Sequence, residues 1–465
     1  MYVKLKNGLS FLLNKDKKTA KITGSKSCER IYFSQNIIYD LQKYLITKIS
    51  KNAFKDNQFI KYIEFSEDSE LQSIGKCSFY NSSIESIFVP SHVKKIGEYA
   101  FYGCSNLKSI EFSEHSELQS IDKYSFYFTS IKKILIPAHV KFIGESAFLR
   151  CLDLKSVEFS DDSELLSIDR EAFSRCSIEN ISIPSKVNHI GPAAFFNCSD
   201  LRTLEISRDS ELRSIGKEVI SSTSIESFYI PSKVEYLEEG WCSQTLYLFK
   251  ISVSPKNKNF IIVDNDFLVG KSHPSKESYD VLLFARRDIQ NANIPSYIKQ
   301  IEILSFSQCK KLKSVTFSEN SELQSIQKYA FHSSSIEKIS IPSQVYQIGE
   351  RAFDDCNHLK SIDLSSASNL SSIGKGLFFQ SSLTTISIPS HITKFEELAF
   401  SCCYGLAAIE FLGDDLVVEY HCFTRCKHLC IVSFPKAQKI TISEKSGLSN
   451  IASLFIAPYA EIKQH

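Results

Sequence analysis

Residues 136–151 read IPAHVKFIGESAFLRC, and the same pattern returns along the chain at an interval of 47 residues. The aliphatic residue that precedes Gly-Glu-x-Ala-Phe is Ile96 in one copy, and it is Ile143 in the next. A second aliphatic anchor, Ile121, divides this interval into steps of 25 and 22 residues. A fixed interval of this kind predicts a stack of similar coils. The length of 465 residues therefore does not by itself indicate several globular domains.

Each step carries the pattern of a short strand. In one 22-residue step the apolar residues Ile84, Ile87 and Val89 occupy the first, fourth and sixth places, while the 25-residue steps have a longer loop. The Gly-Glu-x-Ala-Phe part, as in residues 97–101, predicts one or two helical turns. The sequence thus predicts an α/β repeat: a right-handed leucine-rich-repeat solenoid with alternating 25- and 22-residue coils and a continuous parallel β-sheet on its concave face.

The repeated motif resembles the BspA-like leucine-rich-repeat family, which is known for surface antigens of oral bacteria and for its expansion in mucosal protist parasites. Residues 136–151 carry the resemblance, and so does a proline at the same place in other copies, such as Pro90, Pro184 and Pro342. The resemblance implies adhesion or recognition through the repeat surface, at the cell surface or after secretion. The residues themselves show no signal peptide and no transmembrane stretch, which predicts a cytoplasmic location.

The regularity of the repeat predicts four regions. Residues 1–48 fit the pattern loosely and form an N-terminal cap with irregular first coils, residues 49–237 form a regular block, and residues 301–465 form a second block with a C-terminal cap in which 451–460 close the core. Residues 238–300 hold about seventeen extra residues. Alternating segments predict a β-hairpin in this insertion, over 260–263 and 267–269, with a third strand over 279–284. The insertion is either a projecting knob that binds a partner or a structural splice, that is, a segment that only joins the two repeat blocks.

The overall charge excludes some partners. The chain has 54 basic and 53 acidic residues, so it has no bulk attraction for phosphate or for an anionic membrane. We therefore expect neither nucleic acid as a partner nor insertion into a membrane.

Cysteines and histidines offer no clear chemistry. Cys104, Cys151 and Cys198 recur at the 47-residue interval, about 10 Å apart if they lie two coils apart, which is too far for a disulfide. They predict a ladder of buried thiols. The cluster 421–430 lacks the paired Cys-x-x-Cys spacing of zinc modules, so we expect no metal. No nucleophile with its base and no phosphate loop is recognisable, so we expect no cofactor and no enzyme; a site in the insertion 238–300 is a remote alternative.

The remaining candidate is the strand face. The residue between the last two apolar places of each strand should point out of the sheet, because side chains alternate along a strand. This rule selects eight candidate protein-binding residues: Glu64, Phe88, Glu111, Leu135, Glu158, Ser182, Glu205 and Tyr229. Such carboxylates can meet a row of Lys or Arg on a partner, and the apolar residues can anchor it. The alternative is a solvated face that keeps the sheet from aggregating.

These observations predict a non-catalytic scaffold that binds or adheres to a protein through the solenoid surface. The partner is a host or self surface protein. An intracellular scaffold or regulator that binds a cytosolic protein is the second interpretation.

Overall fold

The computed structural model describes residues 1–6, 8–25, 28–443, 445–448, 453–456 and 461–464. They form two compact units: unit 1 holds residues 1–245 and 254–257, and unit 2 holds residues 246–253 and 258–465. Most of the predicted closing segment 451–460 lies outside the described residues; within it, residues 453–456 form a strand. Each unit is a stack of β-coils with the parallel strands of a leucine-rich repeat.

Unit 1 begins with a group of hairpin strands and continues with four-residue strands that alternate with two-residue strands. In chain order these are β1 Tyr2–Lys4, β2 Ser10–Asn14, β3 Thr19–Gly24, β4 Arg30–Phe33, β5 Asn36–Tyr39, β6 Gln42–Ile49, β7 Tyr62–Phe65, β8 Ser73–Ile74, β9 Ser86–Val89, β10 Lys95–Ile96, β11 Ser109–Phe112, β12 Ser120–Ile121, β13 Lys133–Ile136, β14 Phe142–Ile143, β15 Ser156–Phe159, β16 Ser167–Ile168, β17 Asn180–Ile183, β18 His189–Ile190, β19 Thr203–Ile206, β20 Ser214–Ile215, β21 Ser227–Ile230 and β22 Tyr236–Leu237.

Unit 2 begins with longer strands and then alternates in the same way. Its strands are β23 Lys250–Val253, β24 Phe260–Val263, β25 Phe267–Gly270, β26 Val281–Ala285, β27 Asn291–Ile294, β28 Gln300–Ile301, β29 Ser314–Phe317, β30 Ser325–Ile326, β31 Lys338–Ser340, β32 Gln347–Ile348, β33 Ser361–Asp363, β34 Ser372–Ile373, β35 Thr385–Ile388, β36 Lys394–Phe395, β37 Ala408–Phe411, β38 Asp415–Val418, β39 Ile431–Phe434, β40 Lys439–Ile442, β41 Ser453–Ile456 and β42 Glu461–Gln464.

The anchors of neighbouring steps pair directly. Ile96 in β10 lies in register with Ile74 in β8 and with Ile121 in β12, and all three side chains are buried. The same parallel pairing runs through the two-residue strands from β8 to β22. Glycine follows several of the anchors, and at Gly97 a Cβ would lie 2.9 Å from the backbone nitrogen of Lys76 in the preceding coil. The repeated glycine is therefore a packing residue.

The segments after the anchors are turns, and the predicted helical turns are wrong. No helix occurs in the part of the chain that the structure describes. The Ala100 N–H donates to the Gly97 carbonyl at 3.1 Å, as in a β-turn, whereas the Tyr99 N–H donates to the Lys123 carbonyl of the next coil at 3.1 Å. Tyr99 has a φ of 56°, which no right-handed helix accepts. In an α-helix N–H groups such as that of Tyr99 would donate to carbonyls of the same segment, whereas here they donate to the neighbouring coil.

The four-residue strands do not form the predicted continuous sheet. In unit 1 they fall into the sheet β4–β7–β9–β11 and the sheet β13–β15–β17–β19. The pairing of the four-residue strands is therefore interrupted between β11 and β13. The uninterrupted pairing from β8 to β22 belongs to the two-residue strands instead.

A stack of phenylalanine rings fills the core beneath the turns. The rings of Phe101, Phe126 and Phe148 are fully buried and nearly parallel, with centroids 5.2 and 5.1 Å apart. Unit 2 repeats the arrangement with Phe331 and Phe353, whose centroids are 5.0 Å apart. Each ring covers the next, so a coil gains its full apolar burial only when both neighbours are present.

The insertion is part of the sheet of unit 2. Strands β24, β25 and β26 are antiparallel, and β26 then pairs in parallel with β28. The third strand covers Val281–Ala285, slightly later than the predicted 279–284. Phe267, Val269 and Leu282 from these strands are buried in the same core as the coils that follow. The insertion thus covers the first coil of unit 2 and leaves the loop 271–279 mostly exposed.

Candidate functional site

The structure places the eight candidate residues on one side of the four-residue strands of unit 1. Their neighbours in each strand are buried or half-buried, as Ile87 and Val89 are around Phe88, so strand alternation turns the candidate outward. Phe88 is 43% and Leu135 54% exposed. Glu64, Glu111, Glu158, Ser182 and Glu205 are also exposed, while Tyr229 is half-buried. We call these eight residues, together with Tyr32, the strand-face column.

Tyr32 belongs to this column but was not selected from the sequence. It lies in β4 between the buried residues Ile31 and Phe33, and 61% of it is exposed. It is in register with Glu64 in β7. The apolar-x-apolar pattern of residues 31–33 was the available signal; the irregular sequence around it hid its place in the column.

Pairing of the strands brings the column residues together in twos. Phe88 is in register with Glu111, Leu135 with Glu158, and Ser182 with Glu205. Each pair therefore sets one carboxylate beside one residue of the neighbouring coil.

The carboxylates of the column differ in how they are satisfied. Arg30 Nη1 lies 3.4 Å from Glu64 Oε1, and the Ser182 hydroxyl donates to Glu205 at 2.7 Å. The Ser156 hydroxyl donates to Glu158 at 3.1 Å. Among the described residues, Glu111 has neither a hydrogen-bond donor nor a cation within reach. Glu111 beside the exposed ring of Phe88 is thus the carboxylate most open to a cation from outside.

Two shallow grooves follow the column. One is lined by Glu111, Leu135, His139 and Glu158, where the sheets separate between β11 and β13. The other is lined by Glu158, Asn180, Ser182 and Glu205. The first groove has an apolar side chain between two carboxylates, whereas the second is lined by polar side chains at the corresponding places.

The thiols at the repeat position are buried, as predicted. Cys176, which is also buried, takes the corresponding position in the coil between Cys151 and Cys198, and its thiol donates to the Phe148 carbonyl at 3.1 Å. Cys104, Cys151, Cys176 and Cys198 are free thiols. The Cys104 thiol donates to the Phe79 carbonyl at 2.8 Å, and burial raises its pKa to about 12. Such a thiol is a packing group and a poor nucleophile.

Within the described residues, no group of three or more His, Cys, Asp or Glu side chains is arranged to hold a metal ion. In the cluster 421–430, the His421 ring lies 3.2 Å from the Thr424 hydroxyl, and the Cys426 thiol donates to the Phe400 carbonyl.

None of the described segments forms a helix long and apolar enough to span a membrane.

Comparison with known proteins identifies the repeat. The family described as BspA type leucine rich repeat region (6 copies) matches residues 31–155, 119–248, 280–407 and 367–458. A search of curated proteins finds no match.

Two crystal structures are similar over the full length. A leucine rich cell surface protein from Faecalibacterium prausnitzii is 22% identical, with 97% of this chain and 98% of that chain covered and a TM-score of 0.56. A leucine-rich repeat protein from Bacteroides ovatus is 20% identical, with both chains fully covered and a TM-score of 0.57. With most of its repeats matched by the family, the chain belongs to the BspA-type leucine-rich-repeat proteins.

Proposed function

We propose that this protein is a non-catalytic scaffold that binds a protein partner through the strand-face column of unit 1. The observation that carries this proposal is the pairing in register of the exposed Phe88 with Glu111, a carboxylate without a cation or donor among the described residues. Exposed aromatic and aliphatic side chains supply most of the energy of protein interfaces, and carboxylates around them select a complementary charge. The partner surface should therefore present Lys or Arg around an apolar pocket.

A position at the cell surface is part of this proposal. The similar protein from Faecalibacterium prausnitzii is described as a leucine rich cell surface protein, and the family resemblance points in the same direction. An intracellular scaffold is the second candidate, and it is favoured by the free thiols at the repeat positions, such as Cys104, Cys151 and Cys198. Labelling intact source cells with an antibody or a membrane-impermeant reagent distinguishes the two, since a protein confined to the cytosol stays unlabelled.

The insertion of unit 2 serves as a structural splice in this proposal. Its buried residues extend the core of unit 2, which supports a packing role over a projecting knob. An enzyme site at this place is a poor alternative, because the buried Asp280 is held by hydrogen bonds from Ser272 and Lys276 and the buried Arg287 donates to the Ser305 carbonyl.

The test compares three forms of the full chain as baits: the wild type, Phe88→Thr/Leu135→Thr, and the control Phe142→Thr. Phe142 is 47% exposed, similar to Phe88, but lies in a two-residue strand away from the column. Proteins captured from host-cell surface and source-cell cytosol are quantified, and candidates are purified for direct binding. We expect the double variant to bind the partner at least about tenfold more weakly, and the control to bind normally. Equal binding by all three forms would refute the column as the site.

A further inference from the structure

The charge of the chain is unevenly distributed. Positions 1–56 hold twelve basic and four acidic residues, whereas the whole chain holds 54 and 53. The first strands of unit 1 are therefore strongly basic, and the rest of the chain is acidic. The near-neutral total conceals a local positive field that is strong enough to attract an anionic surface.

Most of these lysines are exposed and unpaired. In the described part of positions 1–56, ion pairs involve Arg30 with Glu64 and Glu29 with Lys61. The exposed lysines without a carboxylate within ion-pair distance are Lys4, Lys6, Lys15, Lys17, Lys18, Lys21, Lys43, Lys51 and Lys55. The remaining acidic residues of this region are Asp16, Asp40 and Asp56. The Lys55 ammonium lies over the Tyr80 ring. Among the described residues, ion pairs therefore account for few of these cations.

Two turns of this region project from the same end of the paired strands β3 and β6, with Thr19 in register with Leu45. Strands β3 and β6 are parallel, and each begins directly after a hairpin turn, at residues 15–18 and 40–41. The Leu45 N–H donates to the Lys18 carbonyl at 2.9 Å, which joins the base of one turn to the other strand. Lys15, Lys17 and Lys43 are therefore gathered at one end of the paired strands.

The second turn carries an apolar residue where one is least expected. Leu41 is 100% exposed and has a φ of 60°, a conformation that favours Gly or Asn at the tip of a two-residue hairpin. Ile38, on the preceding strand, is 73% exposed. Neither packing nor backbone preference explains a leucine at this place. Residues whose exposure or backbone conformation disagrees with their chemical type are expected at functional positions.

We propose that this end of unit 1 is a docking surface for an anionic lipid membrane. Lysines near such a membrane are attracted by its negative surface potential, and an exposed leucine and isoleucine gain free energy by entering the interface between headgroups and acyl chains. A nucleic acid or an acidic polysaccharide would attract the lysines equally, but its charged backbone offers nothing to Leu41 and Ile38. The combination of cations with exposed aliphatic side chains therefore selects lipid. This surface is separate from the strand-face column and does not depend on the proposed partner.

The test measures co-sedimentation of the full chain with vesicles of phosphatidylcholine, and with vesicles in which phosphatidylserine replaces about a third of that lipid. Three variants are compared with the wild type: Leu41→Asn, Lys15→Gln/Lys17→Gln/Lys43→Gln, and the control Lys310→Gln/Lys311→Gln/Lys313→Gln. The control lysines are exposed, are in no ion pair, and lie in unit 2. Asn fits the left-handed turn better than Leu, so the first variant keeps the fold.

We expect binding to the phosphatidylserine vesicles only, weakened at least about tenfold by the Lys15/Lys17/Lys43 variant and about tenfold by Leu41→Asn, with the control unchanged. Raising the salt concentration should also weaken it. Two results would overturn the proposal: absence of binding to the anionic vesicles, or the same loss in the control. If Leu41→Asn binds as well as the wild type, the surface is a general polyanion site and the assignment to lipid is wrong.

Discussion

The strand faces of the two units occupy the same place in the coil but differ in chemistry. In unit 1, Phe88 stands in register with Glu111, and the carboxylate is unpaired. In unit 2, the Ser340 hydroxyl donates to Asp363 at 3.0 Å, and the Ser387 hydroxyl donates to Glu410 at 3.1 Å. A serine hydroxyl on one coil donates to the acid of the next, whereas Phe88 offers no donor to Glu111. The residue in register with an acid therefore contributes to whether that acid is hydrogen-bonded within the face.

Unit 1 itself contains both cases. The Ser182 hydroxyl donates to Glu205 at 2.7 Å, as in unit 2. The difference between the units is thus a property of the residue at this place and not of the backbone, which pairs in parallel in both. The cores beneath the faces are alike, and this likeness can be tested by removing the same ring from each.

The largest effect is expected from the phenylalanine stacks. Replacing the fully buried Phe148 by Ala in unit 1, or Phe353 by Ala in unit 2, should each lower the free energy of unfolding by about 3–5 kcal/mol, because a cavity opens between two stacked rings. Denaturant titration measures the loss, and hydrogen exchange assigns it to a unit. The control Phe128→Ala removes an exposed ring and should change little. A marked difference between the two units would show that their cores are not equivalent.

Thiol reactivity should be similarly low in the two cores. Burial raises the pKa of Cys104 in unit 1 and of Cys356 in unit 2 to about 12, from an ordinary value of 9.0, so each thiolate is about a thousandfold rarer than in a free thiol. Mass spectrometry of the native protein treated with a thiol reagent should find the exposed Cys430 modified first. Both buried thiols should react quickly only in denaturant. Rapid labelling of either one in the native protein would show that its coil opens.

The insertion distinguishes unit 2 from unit 1, and its buried carboxylate should matter less than a core ring. Burial by itself raises the pKa of Asp280, but the hydrogen bonds from Ser272 and the Lys276 ammonium outweigh it and hold the pKa below its usual range. Asp280→Ala should destabilise unit 2 by about 2 kcal/mol and leave unit 1 unchanged.

Hydrogen exchange of peptides from each unit measures this effect, and Glu277→Ala, in the exposed part of the same loop, is the control. Because the pKa of Asp280 is lowered in the folded state, its contribution is present above the unfolded pKa and is lost as the pH falls through the folded value. Equal destabilisation by the control variant would contradict this role.

The smallest change in stability is expected on the outward face of the four-residue strands of unit 2. The Ser365 N–H and hydroxyl, together with the Ser340 hydroxyl, hold the pKa of Asp363 below its usual range. Ser340→Val should raise that pKa part of the way back and cost less than about 1 kcal/mol at neutral pH. The cost should vanish as the pH falls through the folded pKa of Asp363, since the protonated acid no longer gains from the bond. NMR titration measures the pKa, with Ser387→Val as the control; an unchanged Asp363 pKa would contradict the contribution of Ser340.

One prediction failed because the decisive contacts form only in the folded chain, and two residues were missed. The motif at residues 97–101 has the composition of a short helix, yet the Tyr99 N–H bonds to the coil that follows, which no local pattern reveals. Cys176 was not selected, although it stands 25 residues after Cys151 and 22 before Cys198, which are the two step lengths of the repeat. Leu41 showed no signal at all, because exposure and a positive φ are properties of the folded hairpin.

The sequence by itself determined the repeat, its anchors and the outward position of the column residues. Side chains alternate along a strand and the anchors recur at a fixed interval, and both patterns can be read directly along the chain. The family, with its leucine-rich repeats and parallel strands, follows from the same motifs. Only the tertiary structure decided which N–H groups join the coils, where the sheet opens beside Leu135, and which carboxylates stay unpaired. Those outcomes depend on distances between residues more than twenty positions apart, which the stacking of whole coils sets.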